Sequence, residues 1–195
     1  MAATAHLLYL HGFRSSPQST KAQQTARWMR AHRPEVHWWC PQLPAAPNEV
    51  LQMLREGTAD WPRETMAVIG SSLGGFFATV LAETTGCRAV VLNPAVNPAR
   101  DLAQHVGQQP SWHDPSVLID VRPEFGAAFH AMTPGPLQHP ERYFALIAKG
   151  DEVLDWREMT ARYAGAHITL LEGGDHALSD FDRHLPEVLR FLALA

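Results

Sequence analysis

The 195-residue chain is 46% hydrophobic with a formal net charge of −4, which supplies a core for one domain and leaves little length for a second, so 1–195 reads as a single unit. Its 16 Lys and Arg form no cluster, which argues against nucleic acid or an anionic membrane as partner. Cys40 and Cys87 read as reduced, buried thiols. With no basic region ahead of the first apolar stretch, neither a signal peptide nor a membrane span is expected, and the cytoplasm is the expected compartment.

In chain order, an apolar strand over 6–10 runs into His11-Gly12-Phe13-Arg14-Ser15-Ser16-Pro17. Ser16 and Pro17 predict an N-cap and first helical residue for a helix over 17–32. Strands follow at about 36–40, 65–70, 88–93, 143–148 and 167–171, with helices near 48–57, 73–85, 155–164 and 185–193. The last helix is expected to begin near Leu185 because Pro186 suits a helix start. Near-continuous apolar strands such as Ala89-Val90-Val91-Leu92 are what a parallel sheet buried on both faces requires. The pattern predicts an α/β fold, mainly parallel and six-stranded, with right-handed crossovers placing helices on both faces.

The chemistry concentrates at the carboxyl ends of these strands. Gly70-Ser71-Ser72-Leu73-Gly74 joins a strand to a helix, the setting of a nucleophile elbow with Ser72 at its centre. A serine hydroxyl is a weak nucleophile at neutral pH and needs a base, and the base needs an orienting acid. Among 11 histidines, His176 stands out in the turn Gly173-Gly174-Asp175-His176, directly after the last strand. His11 reads as structural, His6 and His37 as strand residues, His32 as a helix C-terminal cation and His184 as part of a surface turn. For the acid, Asp151 and Asp155 compete. Asp155-Trp156-Arg157-Glu158 fits a capping box, so Asp151, which has no such role, is preferred. Two backbone amides, those of Phe13 and Leu73, are placed to receive a developing oxyanion.

Residues 94–141 form a cap-like insertion after the fourth strand. They hold 8 of the 15 prolines, which predicts irregular structure with short helical pieces at 98–106 and 123–132. Trp112, Phe125, Phe129 and Met132 are the candidates to line an acyl pocket, against the plainer reading that they pack the segment onto the domain. His105, His113, His130 and His139 lack metal-ligand spacing, and no metal is expected.

Taken together, HGF-x-SSP-x-S-x-K at 11–21, GSSLGG at 70–75, LNPAVNP at 92–98, GDEVLDW at 150–156 and GGDHALSDF at 173–181 resemble the small bacterial YqiA-like esterases of the α/β-hydrolase superfamily. The resemblance implies a compact α/β-hydrolase fold with strand order 2-1-3-4-5-6. It also implies an intracellular serine esterase without cofactor, its triad on Ser72, Asp151 and His176. The expected substrate is a small acyl ester, cleaved through a covalent acyl-enzyme. Acyl-CoA thioester hydrolysis, or a catalytically idle fold used for binding, are the alternatives.

Overall fold

The computed structural model describes residues 3–195. Strands β1 (His6–Leu10), β2 (His37–Trp39), β3 (Met66–Ser71) and β4 (Arg88–Leu92) alternate with helices α1 (Thr20–His32), α2 (Pro47–Gly57) and α3 (Leu73–Thr85). After β4 come α4 (Pro98–Ala103), β5 (Gly107–Pro110), β6 (Leu118–Val121) and α5 (Phe125–Met132). The chain then returns to β7 (Tyr143–Ala148), α6 (Trp156–Arg162), β8 (His167–Leu171) and α7 (Phe181–Phe191). Six strands make one sheet in the order β2-β1-β3-β4-β7-β8, and every pairing in it is parallel.

Alternation along each strand divides the core into two layers. Leu8, Leu10, Val68, Val91 and Ile147 face a layer closed by α2, α3, α5 and α6. Leu7, Tyr9, Ile69, Leu92 and Phe144 face the other, closed by α1 and α7. Because both faces are covered, β3 and β7 are buried over their whole length, which is why they read as unbroken apolar runs.

The local expectations fail in three places. Helix α1 begins at Thr20, not Pro17: Ser16 and Pro17 form a turn in which Ser16 Oγ accepts from the Gln18 amide at 3.1 Å. Helix α7 begins at Phe181, four residues before Leu185, and carries Pro186 inside it. Phe181, Leu185, Val188 and Leu189 are buried at helical spacing, so tertiary burial outweighs the one backbone bond the proline forgoes. His184 accordingly lies on this helix, not in a surface turn, with Nε2 3.5 Å from Asp180 Oδ2.

The third failure is the insertion, which is more regular than its prolines suggest. Gly107–Pro110 and Leu118–Val121 pair antiparallel as a two-stranded hairpin. Pro110 ends the first strand, Pro115 lies in the turn and Pro123 follows the second strand, so the prolines bound the strands without interrupting them.

Candidate active site

Ser72 follows the last residue of β3 and has φ 55°, ψ −121°, a conformation non-glycine residues hold only when their surroundings over-determine it. Here the surroundings are backbone. The Ser72 amide donates to the Leu92 carbonyl at 3.0 Å, and the Ser72 carbonyl accepts from the amides of Gly75 and Ala95 at 2.8 and 3.0 Å. The flanking glycines are required by close approach. A Cβ on Gly70 would lie 2.2 Å from the Gly74 carbonyl oxygen, and one on Gly74 would lie 2.1 Å from that of Leu10. Helix α3 thereby sits directly against β1 and β3, and the Ser72 hydroxyl projects from the sheet edge.

Three side chains from three strand ends meet there. His176 Nε2 lies 2.9 Å from Ser72 Oγ, and His176 Nδ1 lies 2.7 Å from Asp151 Oδ2. The Asp151 side chain is fully buried, and its other oxygen accepts from the amides of Val153 and Leu154, both at 2.8 Å. A carboxylate so held is an acceptor only, so Nδ1 of His176 carries a proton and Nε2 presents its lone pair to the serine. Asp155 lies elsewhere: its side chain caps α6 by accepting from the Arg157 amide at 2.9 Å. Half of the expected capping box is missing, because Glu158 forms a bidentate pair with Arg100 at 2.7 and 2.8 Å.

The loop that carries His176 is held from several sides. Its backbone amide donates to Glu152 Oε2 at 2.9 Å, and the Asp175 side chain accepts from Ser179. The Lys21 ammonium donates to the Ala177 carbonyl; burial lowers its pKa to about 8 against the opposing pull of Asp175 and Asp151. Asn93, not singled out from the sequence, is fully buried with φ 41°. Its amide nitrogen donates to the carbonyls of Asp175 and His176 at 2.9 and 3.2 Å, and its oxygen accepts from the Ala148 amide at 2.8 Å. One side chain thus ties the ends of β4 and β7 to the histidine loop. The sole sequence signal was its place within LNPAVNP.

On the other side of Ser72, the loop after β1 approaches closely: a Cβ on Gly12 would lie 3.1 Å from Ser72 Cβ. His11 is a buried structural histidine. Its Nδ1–H donates to the Gly12 carbonyl at 2.9 Å, while Nε2 accepts from the Leu43 amide at 3.0 Å. Burial lowers its pKa, consistent with a neutral ring. Among the described residues, the backbone amides of Phe13 and Leu73 have no acceptor.

A cavity of about 40 Å³ lies on this amide side, walled among others by Gly12, Phe13, Leu43, Leu73, Ile119 and Phe125. Of the aromatic candidates in the insertion, Phe125 alone reaches it. Phe129 is buried in the core with its ring 5.6 Å from that of Phe76. Trp112 is 66% exposed at the hairpin turn, and Met132 packs against the same core cluster as Phe129. Both cysteines are free. Among the described residues there is no cluster of metal-ligating side chains, and no helix is long and apolar enough to cross a membrane.

A sequence profile of the uncharacterised protein family UPF0227 matches residues 6–193. The chain belongs to UPF0227. This UPF0227 chain is similar in structure to a pyrethroid hydrolase from Sphingobium faniae JZ-2, with a TM-score of 0.69 at 14% identity over 100% of this chain and 98% of that one. It is similar to mouse alpha/beta hydrolase domain-containing protein 10, with a TM-score of 0.67 at 12% identity over 98% and 92% of the two chains. Est1E from Butyrivibrio proteoclasticus superposes with a TM-score of 0.63 at 10% identity, covering 96% and 86%. At such identities the likeness shows the fold, and the UPF0227 chain has the α/β-hydrolase fold.

Proposed function

We propose that the protein is a serine esterase that hydrolyses small acyl esters through a covalent acyl-enzyme. The observation that carries this reading is the unbroken hydrogen-bonded chain Ser72–His176–Asp151. His176 Nε2 takes the hydroxyl proton as Ser72 Oγ attacks the ester carbonyl. The carbonyl oxygen becomes an oxyanion that accepts from the otherwise unpartnered amides of Phe13 and Leu73. When the tetrahedral intermediate collapses, the imidazolium gives its proton to the departing alkoxide, leaving the acyl group on Ser72. Water then attacks with the same histidine as base, and the carboxylic acid leaves with Ser72 restored. Throughout, Asp151 holds the Nδ1–H tautomer and stabilises the transient imidazolium.

The acyl side of the substrate fits the cavity beside the two amides. Leu73, Ile119 and Phe125 give that cavity an apolar wall for the acyl chain. Small acyl esters are the proposed substrates. The test is fluorophosphonate labelling mapped by mass spectrometry, together with turnover of p-nitrophenyl acetate. Ser72 is expected to carry the label, and Ser72→Ala is expected to lose the label and about 10⁶-fold in kcat, the loss typical of a removed serine nucleophile. Label on another serine, or undiminished turnover in Ser72→Ala, refutes the assignment.

A further inference from the structure

Phe13, the proposed second oxyanion donor, is suspended between two anchors of different kinds. On its N-terminal side, His11 fastens the loop to Leu43 next to the sheet. On its C-terminal side lies Arg14, which bonds instead to the hairpin turn of the insertion. Its Nε donates to the Pro110 carbonyl at 2.6 Å. Its carbonyl accepts from the Trp112 amide at 2.8 Å and from Ser111 Oγ at 3.3 Å. Its guanidinium lies 3.8 Å from the centre of the Trp112 ring. The loop's own turn bond, from the Ser15 amide to the Gly12 carbonyl, is long at 3.3 Å.

Arg14 also has φ 59°, a left-handed conformation that an arginine keeps only where neighbours enforce it. The neighbours that do so belong to residues 110–112, almost a hundred positions away in the chain. They also account for the 66% exposed Trp112: its ring is a lid over a guanidinium, not a core residue that failed to bury.

We infer that Arg14 is a positioning residue that makes the insertion part of the oxyanion machinery, clamping the Phe13 amide in place through the hairpin turn. The inference rests on the serine-esterase reading above. An oxyanion donor is effective only at hydrogen-bond distance from where the charge develops, so a loop freed to shift by an ångström loses much of its effect. A lysine cannot replace the clamp, because it lacks both the Nε–H and the planar face that stacks on indole.

The discriminating variant is Arg14→Gly. Glycine adopts φ 59° without strain, so it keeps the backbone conformation and the carbonyl's bonds to Trp112 and Ser111 while removing the side-chain anchor to Pro110 and the Trp112 ring. With p-nitrophenyl acetate, Arg14→Gly, Arg14→Ala and Arg14→Lys are each expected to lose about 10- to 100-fold in kcat, with KM within about threefold. Trp112→Ala, at an exposed position that does not endanger folding, is expected to lose about threefold to tenfold by removing the stacking face alone. Melting curves confirm that each variant is folded at the assay temperature. A wild type that labels at Ser72, with Arg14→Gly and Trp112→Ala both within twofold of its kcat, overturns the role of Arg14 and leaves the esterase intact. A kcat loss in Arg14→Ala alone, absent in Arg14→Gly, overturns it too, since backbone strain then explains the effect. A wild type that neither labels nor turns over removes the esterase reading and this inference with it.

Discussion

Strands β3 and β7, which deliver Ser72 and Asp151, are buried over their whole length, whereas the β5–β6 hairpin leaves Trp112, Val117 and Leu118 more than half exposed. The first region is held by the parallel ladder, by backbone bonds around Ser72 and by the side chain of Asn93. The second is a two-stranded ribbon, which on its own is marginally stable in water, joined to the loop after β1 by Arg14. The contrast separates two jobs. The Ser72, Asp151 and His176 side chains follow the ends of sheet strands, whereas Ile119 and Val121, part of the wall of the cavity beside Phe13, sit on a ribbon outside that sheet.

If that separation is real, substitutions at the sheet edge should abolish the chemistry and those in the insertion should redirect it. The largest effect after loss of the nucleophile is expected at Asp151. Asparagine can still accept from the Val153 and Leu154 amides, but it turns a donor towards His176 Nδ1 and favours the wrong tautomer. Asp151→Asn is expected to lose about 10⁴-fold in kcat with a nearly unchanged melting temperature, read by steady-state kinetics beside a thermal melt.

Next comes Asn93→Ala, which leaves the buried Ala148 amide without its acceptor and removes a donor from the part-buried carbonyls of His176 and of Asp175, the latter keeping the Leu178 amide. It is expected to destabilise by about 2 kcal/mol, lowering Tm by roughly 4–8 °C. It should also reduce kcat about tenfold to a hundredfold through the loosened histidine loop. A variant that melts early yet turns over normally at a temperature where it is folded would show that Asn93 braces the sheet and not the base.

Within the insertion, two phenylalanines four residues apart sharpen the comparison. Phe125→Ala enlarges the cavity and is expected to raise kcat/KM for a butyryl ester relative to an acetyl ester by about tenfold, the scale of one or two methylenes in a fitted pocket. Phe129→Ala opens a core void instead, costing about 3–5 kcal/mol, and is expected to leave the acyl preference unchanged. The smallest effect is expected at Asp155. Removing this N-cap costs about 1 kcal/mol, so Asp155→Ala should melt about 2–4 °C earlier while kcat stays within about twofold, the small change expected of a cap with no contact to the reacting groups.

The sheet was legible from the chain because its strands are covered on both sides and so are apolar without interruption, as in Ala89-Val90-Val91-Leu92. Ser72 and His176 were legible because a strand-to-helix turn and a post-strand turn are local events. What escaped was set by distant partners. Asn93 acts on Ala148, Asp175 and His176, and nothing within a few residues of it signals that. Helix α7 starts before Pro186 because Phe181 finds a place in the core, a gain that a local reading of proline does not count. The hairpin was hidden by prolines that delimit its strands, and Trp112, which looks like a pocket residue by type, is occupied by an arginine from the far side of the chain.

Gly107 and Val121 are cross-strand partners, so the hairpin leaves and rejoins the body of the protein at a single point. A tongue attached in this way can be lengthened, shortened or exchanged while the register of all six sheet strands stays as it is. On the esterase reading, turnover and appetite are then separately heritable: new substrates can be explored in residues 107–121 by insertions and deletions that no strand of the sheet would tolerate. If Arg14 positions Phe13 as inferred, its tether sets the limit to that freedom, because a graft that discards Pro110 and Trp112 would change what the protein accepts and slow its reaction in the same step.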